Sequence, residues 1–166
     1  NAALVAGTRT FRVALKTAGS QTVTASDATN GSITPNTGAA ATVNAAVAAR
    51  LAMGTQPSAT ALAGAVFAQQ PVVQIQDTYG NVRSNDTLTV TAARNDGAGA
   101  LQGTTNLAAA GGVVTYSNLA HLVATNITIK FTSGSLIAAT SSVVTVSAGP
   151  FSKLLVLLPG ESSAPG

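Results

Sequence analysis

The 166-residue chain has no cysteine, no tryptophan, a single histidine and few charges, five Asp/Glu against eight Lys/Arg. Lack of cysteine removes disulfides, thiolate zinc sites and thiol nucleophiles together. One histidine, His121, with no Gly-x-Ser-x-Gly turn in the chain, supplies neither a Ser-His-Asp triad nor the ligand set of an ordinary zinc site. Only 8% of residues are charged, about a third of the usual share, so the surface must rest on Thr, Ser, Asn and Gln. The formal charge of +3 comes from cations scattered singly, none closer than Arg9 and Arg12, and without a basic stripe nucleic acid is not an expected partner. The longest aliphatic run, 154–158, is far short of the roughly 18 residues that cross a bilayer, so no membrane span is expected here. Aromatics make up 4%, which leaves little platform for a sugar. With most carboxylates at turns, no glycosidase pair stands out and the chain is not expected to be an enzyme.

What the chain does have is apolar residues, 46% of the total, with a positive mean hydropathy. That is enough for a folded core, expected to be built of Val, Leu, Ile and Ala in the thin layers that suit stacked sheets. Period-2 alternation is the main local signal: Phe11, Val13, Leu15; Leu88, Val90, Ala92; and Ile127, Ile129, Phe131 each alternate with Thr, Ala or basic residues. Gly-, Asn- and Ser-rich turns separate the runs. The spacing predicts strands near 51–56, 62–67, 71–78, 86–93, 100–108, 112–119, 126–132 and 140–147. Two Ala-rich stretches, 39–49 and 59–68, compete as helices on intrinsic propensity. The β-branched Thr42 and Val43 favour a strand in the first, and Gly64 and Pro71 bound the second without fixing its type.

The chain also repeats itself. Val43, Ala45, Arg50 and Leu51 match Val146, Ala148, Lys153 and Leu154 at an offset of 103 (153 − 50). Three segments follow: 1–50 as the C-terminal part of one repeat, 51–149 as a complete repeat, and 150–166 as the first strand of another. The copies differ in one loop, since Val23 to Val43 spans 20 residues where Ile129 to Val146 spans 17.

The run Val73-Gln-Ile-Gln-Asp77-Thr-Tyr-Gly80-Asn81, followed by 88–92, Gly99-Ala-Leu101 and Gly112-Val-Val-Thr-Tyr116-Ser-Asn-Leu119, resembles bacterial immunoglobulin-like repeats of the invasin/intimin type, to which filamin-like repeats are similar. The resemblance covers 51–149 and, more weakly, 8–50, where 11–15 and 21–25 look like late strands of a preceding copy. It implies an all-β chain of antiparallel immunoglobulin-like sandwiches, one complete and two partial, in a bacterial extracellular or cell-surface protein that serves as stalk, adhesin or filament. It carries over no catalytic residue.

Candidate sites are few. Asp77, Asn81, Asp86 and Asp96 are oxygen ligands near strand ends and could hold a calcium ion, against the alternative that Asp and Asn at corners bond their own backbone; no other cofactor is expected. Segment 97–103 is Gly-rich but lacks the Lys-Ser/Thr of a phosphate loop and is expected to be a turn. Asn30, Asn85 and Asn126 begin Asn-x-Ser/Thr triplets and are glycosylation candidates. His121 is expected in the connection from Leu119 to Asn126. As partners we expect neighbouring repeats of the same chain. A second possibility is a surface glycan or receptor bound by loops 79–86 and 94–99 at one end of the central repeat, with Tyr79 as the exposed aromatic. A third is other subunits, with Lys153, Leu154, Leu155, Val156, Leu157 and Leu158 forming an interface strand that completes a neighbour's sandwich.

Overall fold

The computed structural model describes residues 5–150 and 159–160; the candidate interface residues 153–158 lie outside them. Every regular element among the described residues is a strand, so both Ala-rich stretches resolve against helix. A leading hairpin contains β1 (Gly19–Gln21), β2 (Thr24–Ala25), β3 (Asn36–Thr37) and β4 (Ala41–Val43), with β1 antiparallel to β4 and β2 to β3. The central unit follows with β5 (Ala48–Thr55), β6 (Thr60–Leu62), β7 (Val72–Asp77), β8 (Thr89–Asp96), β9 (Leu101–Gln102), β10 (Asn106–Ala108), β11 (Val113–Thr115), β12 (Ala120–His121), β13 (Asn126–Thr132), β14 (Ala139–Thr140) and β15 (Val144–Ser147).

Two main sheets form the central unit, with β9 and β12 paired antiparallel beside them. One has the order β11-β7-β5; the other has the order β10-β8-β13-β15-β6, with β14 also paired to β13. The chain passes from the first sheet to the second around Pro57. Before it, β5 lies antiparallel to β7; after it, β6 lies parallel to β15, with Thr60 opposite Thr145. Alternation dictates the layering. Val73 and Ile75 of β7 face Val90 and Ala92 of β8, Ile127, Ile129 and Phe131 of β13, and Val144 and Val146 of β15 across one shared core.

The core is less purely aliphatic than composition suggests. Phe67, Tyr116 and Phe131 are its bulkiest members, and the Tyr116 and Phe131 rings meet at 5.5 Å with a 45° tilt. A few aromatics suffice because they are concentrated at the centre. Tyr116 donates its hydroxyl to the Val90 carbonyl at 3.0 Å, and burial pushes its pKa up to about 12.

Several expected strands come out shorter or displaced. The one near 62–67 stops at Leu62, because Gly64 takes a left-handed turn and gives its N–H to His121 O. The one near 100–108 breaks at Gly103, whose positive φ places its backbone against Asn118 O. That near 86–93 shifts to 89–96, leaving Leu88 exposed. The one near 112–119 ends at Thr115. Between β14 and β15, Ser141 takes a ladder position, its hydroxyl accepting from Ile129 N at 2.9 Å. The alternating run 11–15 forms no strand, and Phe11 and Val13 are exposed, because no neighbouring strand pairs with it among the described residues.

The leading hairpin pairs in the same register as the last hairpin of the central unit. There, Lys130 stands opposite Thr140, Phe131 opposite Ala139, Asn126 opposite Thr145 and Ile127 opposite Val144. In the leading hairpin the partners are Thr24 and Thr37, Ala25 and Asn36, Ser20 and Thr42, Gln21 and Ala41. Every first-limb residue is displaced by 106 positions (130 − 24) and every second-limb residue by 103 (140 − 37). The difference of three residues is the extra length of the leading turn. In that turn Asp27 accepts from Thr29 and Asn30, which holds its carboxyl below the usual range.

Candidate functional site

A group of side-chain hydrogen bonds to distant backbone gathers at the end of β7, where the central unit meets the leading hairpin. Alternation along Val73, Ile75 and Asp77 carries Asp77 to the buried side of its strand, and it is fully buried. A carboxylate there must be satisfied by donors or it destabilises the fold. Oδ1 accepts from the backbone N–H groups of Tyr79 at 2.8 Å and Asn81 at 2.9 Å, closing a turn through Gly80 at φ +90°. Oδ2 accepts from the Asn81 side-chain amide at 2.8 Å and from Ala46 N at 2.9 Å. Burial pushes the carboxyl up, but the bonds from the Asn81 side chain and from the Ala46, Asn81 and Tyr79 amides outweigh it and bring the pKa to about 2.

Asn81 faces both ways. Its Nδ2 also donates to Lys16 O at 2.8 Å, and its Oδ1 accepts from Ala18 N at 2.9 Å. Arg83 adds Nη1 bonds to Ala45 O at 3.1 Å and Ala46 O at 2.8 Å, while its Nε pairs with Asp86 at 3.0 Å. The Lys16 ammonium lies 5.4 Å from the Tyr79 ring centroid, within cation–π range. Three side chains of one corner, Asp77, Asn81 and Arg83, thus hold two separate stretches of preceding chain, 16–18 and 45–46. The grip is on backbone groups, so it demands little of the residue types held.

The four calcium candidates do not converge. Asp77, Asn81 and Asp86 share this end of the unit, with both Asp77 oxygens engaged and Asp86 paired to Arg83. Asp96 lies at the far end of the eight-residue β8, where Oδ2 accepts from Thr128 Oγ1 at 2.7 Å and from the Asn95 side chain at 2.9 Å. No group of three or more His, Cys, Asp and Glu side chains among the described residues could hold a metal ion. Loops 79–86 and 94–99 likewise sit at opposite ends, since β8 runs between them, which corrects the expectation of a common adhesive end. Arg94 closes the second loop on itself by donating to the carbonyls of Gly97 and Gly99.

Asn30, Asn85 and Asn126 are all exposed. His121 lies in β12, completely buried, with Nε2 2.7 Å from Ala98 O and Nδ1 without a hydrogen-bond partner. The sequence marked the Asp77–Asn81 corner, and Ala45 only as part of the repeated junction, but not Arg83, Lys16, Ala18 or Ala46. Arg83 had one signal, its i,i+3 spacing to Asp86; Ala18 and Ala46 contribute only main-chain atoms and had none.

No family model matches the chain, and no curated protein matches it. Among solved structures, a β-glycosidase from Bacteroides vulgatus aligns at 13% identity and a TM-score of 0.48, over 77% of this chain and 18% of that one. The chain therefore spans less than a fifth of that protein's length.

Proposed function

We propose that this chain is a structural segment of a tandem array of immunoglobulin-like sandwiches, non-catalytic, on the outside of a cell, with the Asp77 corner as the joint that fixes one unit against the next. The observation that carries it is the corner itself: Asn81 makes two hydrogen bonds, and the buried Asp77 that orients it one, with backbone flanking the leading hairpin. Three features of the fold support the immunoglobulin-like assignment. They are the strand order of the two main sheets, the passage of the first strand from one sheet to the other, and the parallel pairing of β6 with β15 in a unit whose other strand pairs are antiparallel, apart from a lone parallel bridge between Arg50 and Ile137. The equal register of the leading and last hairpins supports the repeat. A rigid joint suits a stalk or fibre, whose reach depends on units that do not bend freely. Both ends of the unit would then face neighbours, which leaves loops 79–86 and 94–99 little room as a combined glycan or receptor site.

The test is the distance distribution between spin labels on Thr22→Cys, in the hairpin, and Thr132→Cys, in the central unit, clean because the chain has no cysteine of its own. A joint gives one narrow distance that broadens in Asn81→Ala. A broad distribution already present with Asn81 intact would overturn the proposal.

A further inference from the structure

By hairpin register, the far end of the central unit carries the counterparts of the backbone groups that the corner grips at the near end, and no side chain among the described residues grips them there. Applying the hairpin offsets, Lys16 and Ala18 correspond to Leu122 and Ala124, and Ala45 and Ala46 correspond to Ala148 and Gly149. Ala18 and Ala124 are the same residue type, and each lies just before the first limb of its hairpin. The two stretches at the far end are held side by side, because Val146 N donates to Thr125 O at 3.1 Å. In the leading copy, Lys16 O, Ala18 N, Ala45 O, and the N–H and carbonyl of Ala46 are all taken by Asp77, Asn81 and Arg83. At the far end, Leu122 O, Ala124 N, Ala148 O and both Gly149 groups enter no hydrogen bond within the described residues. Leu122 is 58% exposed and Val123 42%, an apolar pair beside these open polar groups.

We infer that this surface, Leu122 to Ala124 with Ala148 and Gly149, is the docking face for a second copy of the Asp77–Asn81–Arg83 corner, carried by a following unit. The inference rests on the proposed joint and adds its other half: which residues of this unit are held, and by which groups. Asn81 of the incoming copy takes Leu122 O and Ala124 N, its Asp77 takes Gly149 N, and its Arg83 takes the carbonyls of Ala148 and Gly149. Leu122, standing where Lys16 stands, packs on the incoming Tyr79 ring by apolar contact in place of the cation–π pair.

The experiment extends the chain, residues 1–150 followed directly by a second copy of 48–150, and follows amide hydrogen exchange residue by residue. The amides of Ala124 and Gly149 are expected to slow about tenfold relative to the unextended chain, the effect of one hydrogen bond of typical strength. Asn81→Ala in the added copy alone should return Ala124 to its fast rate while Ile75 of both copies stays protected, which shows that both units remain folded. Gly149→Pro, which removes the amide offered to Asp77 at an exposed position, should release Ala124 in the same way. Protected Ala18 and Ala46 with unchanged Ala124 and Gly149 would overturn this inference and leave the joint standing. Unprotected Ala18 and Ala46 would overturn both.

Discussion

The carboxylate of Asp77 accepts from the side-chain amide of Asn81 at 2.8 Å, and that contact decides which way the Asn81 amide faces. With Nδ2 turned to Asp77 Oδ2 and Lys16 O, the Asn81 oxygen is left for Ala18 N. The two residues act as one device, in which the buried acid orients the amide and the amide reaches across to the neighbouring segment.

Acid should loosen this device in a defined window. Asp77 has a folded pKa of about 2, below the ordinary 3.8. Its contribution is therefore fully present above about pH 4 and lost as pH falls through about 2. The melting temperature is expected to drop between those limits, and Asp77→Asn should flatten that drop while lowering the plateau. At the alkaline end Tyr116, raised to about 12, works the opposite way, and stability should decline as pH climbs from about 10 toward 12.

Removing the reach without the acid should weaken the joint more than the unit. Asn81→Ala deletes two hydrogen bonds to 16–18, about 2 kcal/mol of coupling at typical net strengths. It also leaves Asp77 with the three backbone donors. Arg83→Lys should behave similarly, because an ammonium cannot span Asp86 and two carbonyls with one fixed fork. The same spin-label pair reports both variants as broadened distances, with the central unit's melting temperature falling by no more than a few degrees.

Glycines with left-handed backbone should differ sharply in tolerance. A Cβ on Gly112, at φ +73°, would lie 2.1 Å from Arg83 O, whereas Gly64, at φ +85°, has nothing within 4 Å. Gly64→Ala should cost about 1–2 kcal/mol, the left-handed backbone penalty alone. Gly112→Ala should cost several kcal/mol more, because backbone must move, and denaturant unfolding of the pair measures the gap.

In the core, Tyr116→Phe keeps the ring against Phe131 and removes only the hydroxyl given to Val90 O. The expected loss is about 1 kcal/mol. Phe131→Ala removes the partner ring from a fully buried site and should cost about 3–5 kcal/mol.

Calcium is expected to leave the melting temperature unchanged against EDTA, since the acidic side chains are tied to donors and Asp96 lies at the other end of β8. A rise of several degrees at millimolar calcium would reveal a site made by other oxygens.

Strands β7, β13 and β15 were legible because each buries one face and leaves the other more open, half-buried in β7 and largely exposed in β13 and β15, so alternation survives in the sequence. Strand ends were less so. Where β9 stops and β6 turns depends on Gly103 and Gly64 meeting Asn118 and His121, neighbours only in three dimensions. The parallel pairing of β6 with β15 leaves no local mark either. The corner itself could be read, since Asp-x-x-Gly-Asn is a turn with a mechanism. What it holds could not, because Ala46 and Ala18 lie 31 and 63 residues from their partners and offer only main chain.

Amide hydrogen exchange at Ala18 and Ala46 tests the joint most directly. Both amides should be protected in the native chain, with Asn81→Ala releasing Ala18 while Ile75 keeps its protection. Exchange of Ala18 and Ala46 at the rate of an open chain, with the core intact, would contradict it.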